Sequence, residues 1–265
     1  MAASPGPALL PLASLLDLTD RTALVTGAAQ GFGFAIARRL AEAGARVIVT
    51  DVNADKAADA ASRLATEFGG STDSARLDIS DEGEVKTVFA RFDDVDFLVN
   101  NAGVFSNFTI ENLTAEEFDR IQRVNVRGVF LCSKEFARTM GDRTAGKVIV
   151  NIASVDALGP SCPGQVHYTS SKHAVAGLTK GFSVELAPKG VRVNVLCPGF
   201  FPAEQNRKIL SPERTAAIMA KTPMNRFGSP DELLGATILL CAPVAGSFIT
   251  GAEIYVDGGF TGMSI

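Results

Sequence analysis

Apolar residues recur along this chain in two alternating rhythms. Short runs dense in Val, Leu and Ile ("TALVTG", "RVIVTD", "ARLDIS", "VDFLVNNAG", "KVIVNIASV", "VRVNVLCPG", "AEIYVDGG") are separated by longer stretches with helical spacing. Runs that are apolar at nearly every position suit strands buried on both faces. Between them, Phe34, Ile36 and Leu40 mark a helix that ends where Gly44 can cap it, and residues 53–68 form a second helix with a polar face. A third helix opens at Ser80 or Asp81, and an amphipathic segment over 114–139 starts with Thr114 and Glu117 as a capping box. Ala174, Val175, Leu178, Phe182 and Leu186 lie on another helix, and a last one covers about 231–241. This alternation predicts an α/β fold: one doubly wound parallel sheet of about seven strands, helices on both faces, and right-handed crossovers.

The length of 265 residues, 46% of them hydrophobic and 20% charged, fits one large domain of this kind. Residues 1–16 read as an N-terminal extension without a basic start, broken by Pro5, Pro7 and Pro11, so not a signal peptide. Residues 17–265 form the domain, with an irregular insert at about 200–228. Leu233 to Ala252 carries no charge, but Gly235, Pro243, Gly246, Ser247 and Gly251 break it, so no membrane span is expected. A net charge of −4 argues against nucleic acid or an anionic membrane as a partner. Cys132, Cys162, Cys197 and Cys241 are widely spaced without C-x-x-C, as in a reduced, cytoplasmic protein, and with two histidines no metal site is expected.

The turn after the first strand, Thr26-Gly27-Ala28-Ala29-Gln30-Gly31-Phe32-Gly33, is G-x-x-x-G-x-G. Glycines there permit a tight turn and close approach of a pyrophosphate to the N-terminus of the following helix. Asp51 ends the second strand 24 residues after Gly27, near the spacing of about 20 for a carboxylate that binds the adenosine ribose. It would repel a 2′-phosphate, and no Arg or Lys follows before Lys56, so the expected cofactor is NAD in preference to NADP. The fold is therefore Rossmann-like. Val52 beside Asp51, Asp78 and Ile79 after the third strand, and Asn101, Ala102 and Gly103 after the fourth complete the expected adenosine side. Asp78 would accept from the adenine amine.

Tyr168 and Lys172 lie one helical turn apart, so a phenol faces an ammonium that favours its ionised form. Ser154 ends the fifth strand 14 residues earlier, and Asn125 is an amide set among Val124, Val126 and Val129. TGAAQGFG at 26–33, Asp78, NNAG at 100–103, Asn125, Ser154, YTSSK at 168–172 and PG at 198–199 follow in one order. In this the chain resembles the short-chain dehydrogenase/reductase family over nearly its whole length. The resemblance implies an enzyme that interconverts a secondary alcohol and a ketone with a nicotinamide cofactor. Tyr168 would be the general acid/base. Lys172 would lower its pKa and bond the nicotinamide ribose, Ser154 would hold the substrate oxygen, and Asn125 would keep a water that relays protons from Lys172. Pro198, Gly199 and Phe201 would flank the nicotinamide. Many relatives carry Thr where this chain has Ala203, so the carboxamide would be held by backbone near Phe201, or by Glu204 or Gln205.

Gln165 and His167 flank Tyr168, while Gln205, Asn206 and Arg207 cluster in the insert, which is expected to act as a substrate lid. Amides suit a polyhydroxylated substrate and a guanidinium suits a carboxylate. With "GFFPAEQNR" and "VDGGF", this is similar to the sugar-acid oxidoreductases of the family, of the mannonate, fructuronate or gluconate type. The expected substrate is thus a sugar acid or polyol. The alternatives are a 3-oxoacyl-carrier-protein reductase or other hydroxyacyl or ketone reductase, and a non-catalytic dinucleotide-binding sensor or scaffold. The family's habit of pairing long helices across two-fold axes implies a homotetramer or homodimer.

Overall fold

The computed structural model describes residues 10–141, 144, 146–201 and 211–262. Seven strands form one parallel sheet in the order β3-β2-β1-β4-β5-β6-β7. They are β1 (Thr22–Thr26), β2 (Arg46–Asp51), β3 (Thr72–Arg76), β4 (Phe97–Asn100), β5 (Val148–Ile152), β6 (Arg192–Pro198) and β7 (Glu253–Val256). The order reverses between β1 and β4, and open α/β sheets bind ligands at such a switch point.

The helices are α1 (Leu12–Leu15), α2 (Gly31–Glu42), α3 (Ala54–Phe68), α4 (Glu82–Arg91), α5 (Ala115–Gln122), α6 (Val129–Thr139), α7 (Val166–Leu186), α8 (Pro212–Lys221) and α9 (Pro230–Cys241). Strand alternation divides the core between two faces. Ala23, Val25, Val47, Val49, Phe97 and Val99 pack toward α2, α3 and α9, whereas Leu24, Ile48, Leu98 and Ile149 pack toward α4 and α6. The uncharged stretch from Leu233 becomes buried helix α9, a turn and the approach to β7. No described helix is long and apolar enough to cross a membrane.

Two predicted details change. The third strand lies over 72–76, not along "ARLDIS" at 75–80. Its pairing with β2 ends at Asp51 opposite Arg76. Leu77 and Ile79 are buried against α4 instead of extending the strand, so Asp78 stands two residues beyond β3. The capping box is half made: the Thr114 hydroxyl accepts from Glu117 N–H at 3.2 Å, but the Glu117 carboxylate turns to Arg120 and Ser106. Those charge-assisted partners outcompete a return bond to the Thr114 backbone.

The 114–139 segment is continuous but contains a π-helical turn, Arg123–Gly128, between α5 and α6. Such turns interrupt the regular hydrogen-bond ladder and often occur at functional sites. This one carries Asn125. At Gly128 a Cβ would lie 2.6 Å from Ile79 Cδ1, so the missing side chain lets the helix approach the loop after β3.

Candidate active site

The glycine turn joins β1 to α2 with Gly27 and Gly31 at φ of 62° and 61°, backbone that L side chains rarely adopt. A Cβ on Gly33 would stand 2.2 Å from the Gly27 carbonyl oxygen. Gln30, at the N-cap of α2, makes no side-chain cap bond, and no acid sits in the first turn. The helix thus keeps free donors and its positive end for an anion. Asn101 ties this turn to the loop after β4, its side-chain amide donating to the carbonyls of Thr26 and Gly27 at 3.0 Å each.

A cleft of about 580 Å³ opens along these elements. Gly27, Gln30, Gly31, Phe32 and Gly33 line one side, Asp51, Val52, Asp78 and Ile79 the far end, and Asn101, Ala102 and Gly103 the floor, with Phe201 at the near end. Phe201 packs edge-on against Phe32, ring centroids 5.7 Å apart. None of the described residues that line this cleft is cationic. The Asp51 carboxylate accepts from the Ala29 N–H at 3.3 Å and the Asn53 N–H at 3.1 Å, so it also anchors the turn locally. Asp78 uses one carboxylate oxygen on the Ser80 N–H and hydroxyl. The donors, glycines and carboxylate of this cleft fit a dinucleotide.

A smaller cavity of about 190 Å³ adjoins it, sharing Phe32, Asn101, Gly103 and Val104, and Ser154, Tyr168, Lys172, Pro198 and Gly199 line it. Ser154 is N-cap of a 3₁₀ turn, Val155–Ala157, directly after β5. Tyr168 and Lys172 come from the first turns of α7. Ser154 and Tyr168 line the same cavity, and Phe105 meets the tyrosine ring edge-on at 5.0 Å. Lys172 Nζ donates to the Ile152 carbonyl at 3.0 Å and lies 5.5 Å from the Tyr168 ring centroid.

The electrostatics differ from the sequence expectation. Burial, followed by the charge of Asp156, pushes the Tyr168 phenol up, not down. Burial brings the Lys172 ammonium down to about 8. The chain by itself therefore favours the neutral phenol. The folded protein binds fewer protons at Lys172 than the unfolded chain does between about pH 8 and the ordinary 10.5. Stability consequently rises with pH across that window, by about 3 kcal/mol, while below it the whole burial penalty is in place. Urea melts of wild type and Lys172→Met will show this: the wild type gains on the variant by that amount between about pH 7 and pH 10.5.

Asn125 is buried and makes three side-chain hydrogen bonds. Its carbonyl accepts from Val104 N–H at 2.8 Å, and its amide donates to the Val104 carbonyl at 2.9 Å and the Ser171 hydroxyl at 3.1 Å. It fixes the loop that forms the cavity wall, and Gly103 lies between it and Lys172 Nζ. Asn100, the first residue of NNAG, is a core amide that donates to Ser133 and Asn151.

Two residues expected to touch substrate point elsewhere. Gln165 is buried, its carbonyl accepting from the Ser161 hydroxyl at 3.0 Å and Cys162 N–H at 3.2 Å. His167 is wholly buried, with Nε2 2.8 Å from the Ser106 hydroxyl. Gln165 Oε1 and His167 Nε2 thus tie neighbouring loops to α7, while His167 Nδ1 has no partner. Ala203, Glu204, Gln205, Asn206 and Arg207 lie outside the described residues, as does most of the early part of the expected lid. Sequence reading missed Asp156 and Phe105. An acid inside the apolar run "IASVDALG" was the signal for Asp156; Phe105 gave none, being one Phe among 17.

Residues 27–261 match the profile of a family described as enoyl-(acyl carrier protein) reductase. The chain is 35% identical to gluconate 5-dehydrogenase of Gluconobacter oxydans over 93% of this chain and 97% of that one. It is 34% identical to the 3-oxoacyl-[acyl-carrier-protein] reductase of Aquifex aeolicus, over 92% and 98%. The crystal structure of a gluconate 5-dehydrogenase from Burkholderia cenocepacia, in complex with NADP and tartrate, superposes with a TM-score of 0.89 at 35% identity, covering 95% of this chain and 99% of that one.

Proposed function

The chain belongs to the short-chain dehydrogenase/reductase family of oxidoreductases acting on CH–OH groups, and from that premise we propose that it interconverts a secondary alcohol and a ketone on a sugar acid or polyol, with NAD as cofactor and Tyr168 as general acid/base. The observation that carries this reading is the meeting of Ser154, Tyr168 and Lys172 in one small cavity that opens into the glycine-turn cleft.

The family's cofactor is a pyridine nucleotide, which supplies hydride exchange at the substrate carbon. This chain's residues bind it and handle the proton. The α2 N-terminus and glycine turn would hold the pyrophosphate, Asp51 the adenosine ribose and Lys172 the nicotinamide ribose. Tyr168 gives its proton to a carbonyl oxygen, or takes one from an alcohol, while Ser154 holds that oxygen in place. The Burkholderia relative was solved with NADP. For this chain the Asp51 carboxylate and the lack of a cation among the described lining residues favour NAD.

The sugar-acid reading rests on the gluconate dehydrogenase relatives and on Gln205, Asn206 and Arg207, with Arg207 as the carboxylate clamp. Its rival, reduction of a 3-oxoacyl group, has a relative of similar identity. An NAD-reduction screen over sugar acids, polyols and hydroxyacyl thioesters, repeated with NADP, separates them. Turnover of thioesters alone would overturn the sugar-acid reading, and no turnover together with tight NAD binding would favour a sensor.

We further propose a homotetramer or homodimer built on the outer faces of α6 and α7. Phe130 and Phe182 stack there at 6.2 Å, with Phe130 40% and Val184 75% exposed. Sedimentation equilibrium is expected to give at least a dimer, which Val184→Glu weakens. A stable wild-type monomer would contradict it.

A further inference from the structure

Phe105 lies in the loop after β4 and lines the catalytic cavity, half-exposed. The chain is held on both sides of it. Before the ring, the Asn125 side chain takes both backbone groups of Val104, at 2.8 and 2.9 Å. After it, the Ser106 hydroxyl is bonded to Glu117 and lies 2.8 Å from His167 Nε2. The Glu117 carboxylate, paired with Arg120 at 2.7 Å, can only accept, so Ser106 gives it a proton and takes one from His167 Nε2–H. The Phe108 N–H reaches the Gly164 carbonyl at 3.0 Å and the Asn107 amide the Pro163 carbonyl at 3.2 Å, which ties the loop to the approach to α7. An exposed apolar ring anchored in this way, edge-on to Tyr168 at 5.0 Å, is a binding surface in place before any ligand arrives.

The cavity it lines is small. At about 190 Å³ it falls below the roughly 300–1,000 Å³ of ordinary ligand pockets, so it holds the reacting carbon and its nearest neighbours. Lys172 is the one cation among the described lining residues, and its Nζ donates to the Ile152 carbonyl at 3.0 Å and is assigned above to the nicotinamide ribose. The Asp156 carboxylate stands 3.0 Å from the hydroxyl of Ser154, the residue assigned above to the substrate oxygen. A carboxylate attached to the reacting carbon would lie within about 8 Å of this like charge, which at an effective dielectric of about 20 weakens binding about 30-fold. Against the Phe105 ring it would also lose water without gaining a donor. C–H groups gain there by leaving water.

We propose that Phe105 determines specificity: its fixed ring receives the C–H face of the carbon next to the reacting one, so that the chain takes secondary alcohols and ketones flanked there by uncharged carbons and rejects those with a carboxylate directly on the reacting carbon. This rests on the sugar-acid or polyol reading above and deepens it. An acid group, where the substrate has one, stands further along the carbon chain.

The isomers 2-, 3- and 4-hydroxypentanoate step the hydroxyl away from the carboxylate one carbon at a time. Each is offered with NAD as a substrate, and each is titrated into the NADH-loaded enzyme with nicotinamide fluorescence as the readout. The 4-isomer is expected to bind about 30-fold more tightly than the 2-isomer. Phe105→Ala weakens the 4-isomer about 10-fold, because the contact with the C–H arm is lost. Phe105→Arg moves the ratio about 10-fold toward the 2-isomer, since a guanidinium meets the carboxylate bidentately. Phe105 is half-exposed and the anchors of the loop are its neighbours, so both variants keep the fold. An equal response of the wild type to the isomers, no response included, would overturn the proposal, as would a ratio that Phe105→Arg leaves unmoved. The reading on which this rests fails separately: full activity in Tyr168→Phe, or no turnover of any alcohol in the screen, sinks that reading whatever the order of the isomers.

Discussion

With Tyr168 replaced by Phe, alcohol oxidation falls about 10³-fold at every pH while NAD binding is nearly unchanged. The magnitude follows from the role. A positioned acid/base contributes about 10²–10⁴, and among the described residues of this cavity no other side chain takes its place. Ser154 is a neutral hydroxyl, 3.0 Å from the Asp156 carboxylate, and the Lys172 ammonium points to the Ile152 carbonyl. Binding is spared because the 580 Å³ cleft is lined by the glycine turn, Asp51 and the loop after β4, without Tyr168. Steady-state rates and fluorescence titration with NADH check the two halves separately. A variant that lost binding and rate in parallel would show Tyr168 to be structural; its edge-on contact with Phe105 is retained by the Phe ring.

Asp51→Ala is expected to shift the ratio of kcat/KM for NAD over NADP toward NADP by about 10²-fold. A carboxylate about 4 Å from a phosphate charge costs about 4 kcal/mol at an effective dielectric of 20, and half-exposure and salt reduce this to about 2–3 kcal/mol. Part of the effect will appear as a modest loss with NAD, because Asp51 also holds the Ala29 and Asn53 N–H groups. Asp51→Asn keeps acceptor capacity without the charge and separates the two contributions. An unchanged ratio in both variants would remove Asp51 from cofactor selection. Raising the ionic strength should narrow the wild-type preference, since the repulsion is screened.

How far the site was legible depended on the kind of signal. The glycine turn, Asp51, Tyr168 and Lys172 were visible because each stands at a set place relative to an element whose period is plain. β1, β2 and α7 are strongly patterned, and their ends place those residues within a turn of the predicted position. Edge strand β3 was misplaced because its sequence, TDSAR, is half-buried and polar, while the apolar Leu77 and Ile79 just beyond it serve the helix layer. Gln165 and His167 were misassigned for a related reason. A polar residue next to a catalytic one looks the same in sequence whether it faces substrate or a neighbouring loop, and only packing decides.

Local periodicity and turn chemistry thus determined the α/β class and the parallel sheet, and the resemblance to a family pointed to the residues proposed to carry the reaction, because those depend on spacings of a few residues. Tertiary structure alone decided that a π-helical turn carries Asn125 onto the Val104 loop. It also decided that burial raises the Tyr168 phenol instead of lowering it, and that Asp156 stands 3.0 Å from the Ser154 hydroxyl. Desolvation and hydrogen-bond direction depend on everything that surrounds an atom, and a linear sequence does not contain that inventory.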